Sequence, residues 1–461
     1  MSQTVVTATL SLAAVFAAFG LVKVVLKQRA DWNISATFLF LMGWLYVAPA
    51  TFASFTGGKS RSFDFNGNPI DILSDRVLQL THYCNYLLLA VSLAVVLVQA
   101  PRIRRLNSAA LLAALLCAES SLVAGLNGFP VFSNRSVTLL AALTATALLP
   151  AGRGACLGAA AFVVSLASLS GLLTLFHYSL ATAPCVGLYK CGPLGIFIFG
   201  VVDNENGLSL SLAAGVVFVW LAVRARRWRN ILYVYVLGMI VASGARTSAI
   251  AAALLFLALV LFGQRLDSSR HGPRRQLKLA TAGLALVALA GTVVGAILPF
   301  TTNDPAAYTF RGEVWLIARE HLAGRYGIGN SQPGWSSLVD RQVIGQYAGY
   351  SVHNQWLDVV WISGAGGLIL FLLVVTIMIR RNYVVGLIVL LPMILLGITE
   401  RAWSIAQFDQ MSFAYLTSLL AVPAAVKLGV MQGRSEPSEA PPLDFDKSSP
   451  MVAGFAGAAT G

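Results

Sequence analysis

Long apolar stretches recur along this chain, each closed by a short polar or basic run, and this pattern fixes what it can fold into. A helix needs ~20 mostly apolar residues to cross a bilayer. Inside hydrocarbon every backbone N–H and C=O must be satisfied, which leaves helices or closed barrels. The stretches are continuous rather than alternating, so they read as helices. They lie near 5–26, 33–54, 80–99, 107–126, 136–150, 155–177, 205–223, 231–245, 247–262, 279–299, 354–379, 384–399 and 412–430. The pair divided at Ser243–Arg246 can be read as one span or two, and several stretches are short, so the count is 12 to 14. The expected fold is all-α: a polytopic transmembrane helical bundle over residues 1–431, with a large loop at 300–352 that contains short amphipathic helices, and a flexible cytoplasmic tail at 432–461.

Composition narrows the class further. Hydrophobic residues make up 57% and charged residues 11%, against about 45–50% and about 25% in soluble domains. That excludes an ordinary soluble enzyme, a disordered chain and a disulfide scaffold. The net charge is +13, from 32 Lys+Arg against 19 Asp+Glu. In a soluble protein such an excess would suggest nucleic acid. Here the cations fall in runs between spans: Lys23, Lys27 and Arg29; Arg102, Arg104 and Arg105; Arg224, Arg226, Arg227 and Arg229; Arg265 to Lys278; Arg380 and Arg381. Basic loops of this kind stay cytoplasmic, so no nucleic-acid partner is expected.

With the N-terminus outside, all these runs lie inside and 300–352 lies outside. The charges of that segment balance: Arg311, Arg319, Arg325 and Arg341 against Asp304, Glu313, Glu320 and Asp340. The first span reads as an uncleaved signal anchor. No internal repeat favours a transporter built from inverted repeats, although a transporter or flippase is the alternative outside enzymes. Cys84, Cys117 and Cys156 read as small core residues. Cys185 and Cys191 flank a short polar loop, as a disulfide or as two thiols. Glu119, mid-span in LLCAESSLVAG, reads as a neutral, hydrogen-bonded carboxyl, and His82 and His177 as interfacial. Asp64, Asp71 and Asp75 surround an Asn66–Gly67–Asn68–Pro69 turn and read as a solvated loop, and Asp444 and Asp446 fall in the tail. No metal site is expected.

Three pieces converge on the outer face. In SGARTSAIAAALL, Arg246 stands between apolar halves beside Ser243, Gly244 and Ser248, so this end could line a wet cavity. RGEVWLIAREHL (311–322) has helical spacing, with Val314, Leu316, Ile317 and Leu322 apolar and charges between them, and reads as an amphipathic helix lying over the membrane. Gly324, Gly327, Gly329 and Pro333 then force a tight loop. Arg311, at the start of that helix, is best placed to bind an anion. In SVHNQWLDVVWISGAGG, His353 and Asn354 stand where the loop enters an apolar helix. Gly364, Gly366 and Gly367 would lie about 16–20 Å below the histidine along that helix at 1.5 Å per residue. Glycines at such depth let helices approach closely.

Together these residues resemble the O-antigen ligase and polysaccharide polymerase superfamily. That family's signature is His, then Asn, Ser or Gln, nine residues, Gly, two residues, then Gly, Thr or Tyr. His353–Asn354 and, nine residues later, Gly364 and Gly367 match it without a gap. Arg311 to Trp315, the turn Gly327–Ile328–Gly329, and the step from Ser243 to Arg246 match further family features. The resemblance covers about 200–379; where relatives often carry Pro-Asn, this chain has Glu205–Asn206–Gly207. The resemblance implies a GT-C-like membrane glycosyltransferase of the bacterial inner membrane, acting without metal or cofactor. The donor would be a glycan on undecaprenyl pyrophosphate at the periplasmic face. The acceptor would be lipid A-core or another glycan, and the transfer would invert the anomeric centre. His353 would be the base, oriented by Asn354. Arg246 and Arg311, with Arg401 from ITERAWS as a third cation, would hold the diphosphate. Gly364 and Gly367 would serve helix packing. A polymerase using the same donor is the alternative within the family.

Overall fold

The computed structural model describes residues 3–63, 69–102, 106–184, 192–202, 205–267, 274–344, 351–381 and 383–421. The loop at 185–191 with Cys185 and Cys191, the turn at 66–68 with Asp64, and the tail beyond 421 lie outside the described residues. About 78% of the structure is helical.

The helices follow one another back and forth. They are α1 (Gln3–Lys27), α2 (Ile34–Thr56), α3 (Asp75–Gln99), α4 (Ser108–Leu126), α5 (Asn134–Leu148), α6 (Arg153–Phe176) and the short α7 (Tyr178–Ala181). Then come α8 (Glu205–Ala222), α9 (Arg226–Ala242), α10 (Arg246–Asp267), α11 (Arg274–Thr301), α12 (Ala307–Leu322) and α13 (Gln332–Asp340). The last are α14 (Gln355–Arg381), α15 (Tyr383–Leu396) and α16 (Ser412–Ala421). Two antiparallel two-stranded ribbons, Lys59–Phe63 with Pro69–Leu73 and Thr182–Pro184 with Ile196–Ile198, are the only sheet among the described residues.

Among the described residues, seven helices are long and apolar enough to cross a membrane: α1, α2, α3 with its short continuation to Arg102, α4, α6, the Thr281–Thr301 part of α11, and α14. Others are shorter. The 15 residues of α5 extend ~22 Å at 1.5 Å per residue, less than the ~30 Å of a hydrocarbon core. The Ser243–Arg246 boundary is a true break: α9 ends at Ala242 and Gly244 takes φ 85° before α10 starts.

The core centres on α6, packed between α1, α2 and α8. Its sequence explains this. Gly, Ala and Ser recur through RGACLGAAAFVVSLASLSG, so neighbouring backbones come close. A Cβ on Gly158 would lie 2.1 Å from the carbonyl oxygen of Ala36 in α2. Helix alternation sorts the termini into two ends. One end gathers the starts of α2, α4, α6 and α9 with Lys23, Lys27, Arg226, Arg227, Arg380 and Arg381. Gln28 Nε2 there bonds the carbonyl of Ala222, and Arg381 bonds Asn107 and Ser108. The other end gathers the starts of α10 and α14 with α12, α13 and the loop after α15.

Candidate functional site

The segment entering α14 makes a sharp turn. His353 takes φ 54°, and its backbone N–H donates to the Ser351 hydroxyl at 3.2 Å. Asn354 then starts the helix: its side-chain oxygen accepts from the Leu357 N–H at 2.8 Å, as an N-cap residue does. Its amide nitrogen donates to the carbonyls of Gly295 and Ile398, both at 2.8 Å. Asn354 therefore ties α14 to α11 and to the loop after α15. The role expected for it, orienting the histidine, falls to another residue.

That residue is Glu400. One of its carboxylate oxygens lies 3.1 Å from His353 Nδ1, and the other accepts from the Arg311 guanidinium. The carboxylate is almost fully buried, and His353 is 8% exposed. Residues from three distant parts of the chain thus share one carboxylate. Arg311 also donates to the Tyr308 carbonyl at 3.0 Å, and its Nε has no acceptor among the described residues. Just before it, Tyr308, Thr309 and Phe310 all have positive φ, a left-handed turn that nothing in those residue types announces. Four residues after Arg311, the Trp315 indole donates to the Val352 carbonyl at 3.0 Å. The Arg–x–x–x–Trp helix therefore holds both Glu400 and the backbone next to His353.

Gly364 corrects the expectation of a continuous helix packed on another helix. It takes φ 62°, ψ −157° and interrupts α14. The backbone groups released by this break bond the glycine-rich loop after α12: the Asn330 N–H donates to Trp361, and the Ala365 N–H to Tyr326. A Cβ on Gly364 would lie 2.5 Å from the Gly327 carbonyl oxygen. The partner of Gly364 is thus the Gly327–Gly329 turn. Gly367 does face a helix, α4, through the Glu119 carboxylate.

Arg246 is the exposed first residue of α10, and the neighbouring Thr247 hydroxyl lies 3.0 Å from that of Thr399, next to Glu400. The start of α10 is therefore near the site. Ser243 and Ser248 do not line a wet cavity: both are buried, bonded to the Ile240 carbonyl and to the Ser209 hydroxyl respectively. Arg401 is turned away from the role of third cation. It is 5% exposed, ion-paired with Asp409 and reaches Gln332 at 3.5 Å. Arg319 and Arg325 also have structural partners, the former the carbonyls of Phe300 and Thr302, the latter Asn127 and Asn330.

Glu400 stands beside Arg401 in a segment that does not single it out in the sequence. The one signal available was its setting: ITERAWSIAQFDQ places three charges in a short loop between apolar helices. Asp358, one turn into α14, was also passed over; it is 1% exposed and accepts from the Val352 N–H. No protein-family model matches the chain, and no curated protein matches it.

Proposed function

We propose that this chain is a membrane-embedded glycosyltransferase of the O-antigen ligase and polymerase type, moving a glycan from a polyprenyl diphosphate to an acceptor hydroxyl at the periplasmic face. The observation that carries this reading is the buried carboxylate of Glu400 shared between His353 and Arg311.

A carboxylate on Nδ1 sets the neutral imidazole in the tautomer whose basic lone pair is on Nε2. Through Nε2, His353 takes the proton of the acceptor hydroxyl. The acceptor oxygen bonds the anomeric carbon from the face opposite the diphosphate, and the bond from that carbon to the diphosphate oxygen breaks. The electron pair leaves with the diphosphate, and inversion follows. Glu400 stabilises the imidazolium that forms, and Arg311 keeps Glu400 aligned. The leaving diphosphate needs fixed positive charge. The N-terminus of α10 supplies backbone N–H groups and Arg246 a guanidinium, a combination suited to phosphate oxygens. Arg311 Nε is a further buried donor at that end. Arg401 has no part in this scheme.

The test is transfer by purified protein from a lipid-diphosphate glycan to a hydroxyl acceptor. His353→Ala and Glu400→Gln should each reduce turnover per mole of folded protein by about 10²–10⁴-fold, the usual worth of a positioned base. Wild-type turnover in either variant rejects the base assignment. Chain growth with donor alone indicates a polymerase, and product only with added acceptor a ligase.

A further inference from the structure

The basic end of the bundle carries a feature that topology alone does not require. At the end of α1, Lys23 and Lys27 are exposed, as are Arg226 and Arg227 at the start of α9. The segment that follows α1 is tied to the turn between α8 and α9. Gln28 donates to the Ala222 carbonyl at 2.9 Å and accepts from the Arg224 N–H at 3.0 Å, while Arg224 pairs with Asp31 at 2.7 Å. Beside Lys23 lies an aromatic platform. The Trp228 ring is 5.7 Å from Phe16 and 6.2 Å from Phe19, and both phenylalanines are about half exposed to the surroundings of the bundle. Lys23 Nζ sits 5.7 Å from the Trp228 ring and 5.9 Å from Phe19. Gly20 makes the platform possible: a Cβ there would lie 2.5 Å from the Trp228 ring.

We infer that this exposed face of α1 and the start of α9 is a binding site for an anionic phospholipid, its phosphate among Lys23, Lys27, Arg226 and Arg227 and its acyl chains on Phe16, Phe19 and Trp228. Cations at a membrane surface attract anionic headgroups, and an indole at headgroup level has one apolar side for the chains. A soluble phosphate would gain nothing from the exposed rings, so the pairing of charge with aromatics selects a lipid. At the end of α14 the charge is engaged instead: Arg381 bonds Asn107 and Ser108. The inference rests on membrane placement, not on the transfer chemistry.

The test reconstitutes the full chain in phosphatidylcholine nanodiscs with a trace of spin-labelled phosphatidylglycerol and measures lipid selectivity at the protein surface. Lys23→Gln and Arg227→Gln should each lower selectivity by up to about fivefold, from the ~1 kcal/mol a surface cation contributes. Gly20→Val, which displaces Trp228 with every charge retained, should also lower it, and Arg380→Gln should not. An equal loss in Arg380→Gln, no loss in the first three variants, or full displacement of the lipid by inorganic phosphate overturns the site. Alkaline carbonate extraction separates the two failures. Release from membranes sinks the membrane placement, whereas retention without selectivity sinks the lipid site alone.

Discussion

Gly364 adopts φ 62°, ψ −157°, a conformation essentially closed to residues with a Cβ. Gly364→Ala would add backbone strain of order 1–3 kcal/mol and press a methyl onto the Gly327 carbonyl. It should lower the thermal midpoint in detergent by several degrees, whereas Gly366→Ala, whose nearest neighbour is the Glu119 carboxylate at 3.7 Å, should leave it nearly unchanged. Equal midpoints for the two variants would show that the break is dispensable. Arg401 makes a second test at this scale. Removing one partner of a buried ion pair costs about 3–5 kcal/mol, whereas removing both often costs little. Arg401→Met should therefore destabilise strongly, and Arg401→Met combined with Asp409→Leu should recover most of the loss. Additive losses in a chemical-denaturation cycle would contradict the pairing.

Helix α12 works as a bracket rather than as a surface cover. Its apolar face is buried through Val314, Trp315, Ala318 and Leu322. From that anchored face Arg311 reaches Glu400, Trp315 reaches Val352, and Arg319 holds the last carbonyls of α11. Trp315 is fully buried, so Trp315→Phe should cost about 1–3 kcal/mol of stability through the lost volume and the Val352 carbonyl left without its donor. It should also let the Ser351–His353 turn shift. The expected signature is a lower kcat with KM nearly unchanged in the transfer assay, because the base is displaced and the donor cations stay in place. A rise in KM alone would place Trp315 in substrate binding instead.

Across the whole molecule, helix alternation puts His353, Glu400, Arg311 and Arg246 at one end and the basic runs at the other. In the proposed topology the basic end faces the cytoplasm, following the positive-inside tendency. Single cysteines placed at Asp340 and at Arg226, in a background lacking native cysteines, should then react with a membrane-impermeant maleimide from opposite sides of spheroplasts and inverted vesicles. Labelling of both from the same side would refute the proposed periplasmic site.

Hydropathy locates the seven long apolar helices of the described residues, because a segment able to cross hydrocarbon must satisfy its own backbone bonds and so announces itself by length and apolarity. The reading 5–26 became Gln3–Lys27, and 33–54 became Ile34–Thr56. The segment from 311 to 322 was legible as an amphipathic helix for the same local reason, through its 3.6-residue period. Partner choice was not legible. Nothing local distinguishes Glu400, which joins His353 and Arg311, from Arg401 beside it, which turns to Asp409. Nor could spacing show that the Gly364 of a helical pattern opens the helix to a loop more than 30 residues earlier. Which buried charge meets which depends on how distant helices are stacked, and that was decided only by the tertiary packing, where an unpaired charge is too costly to leave.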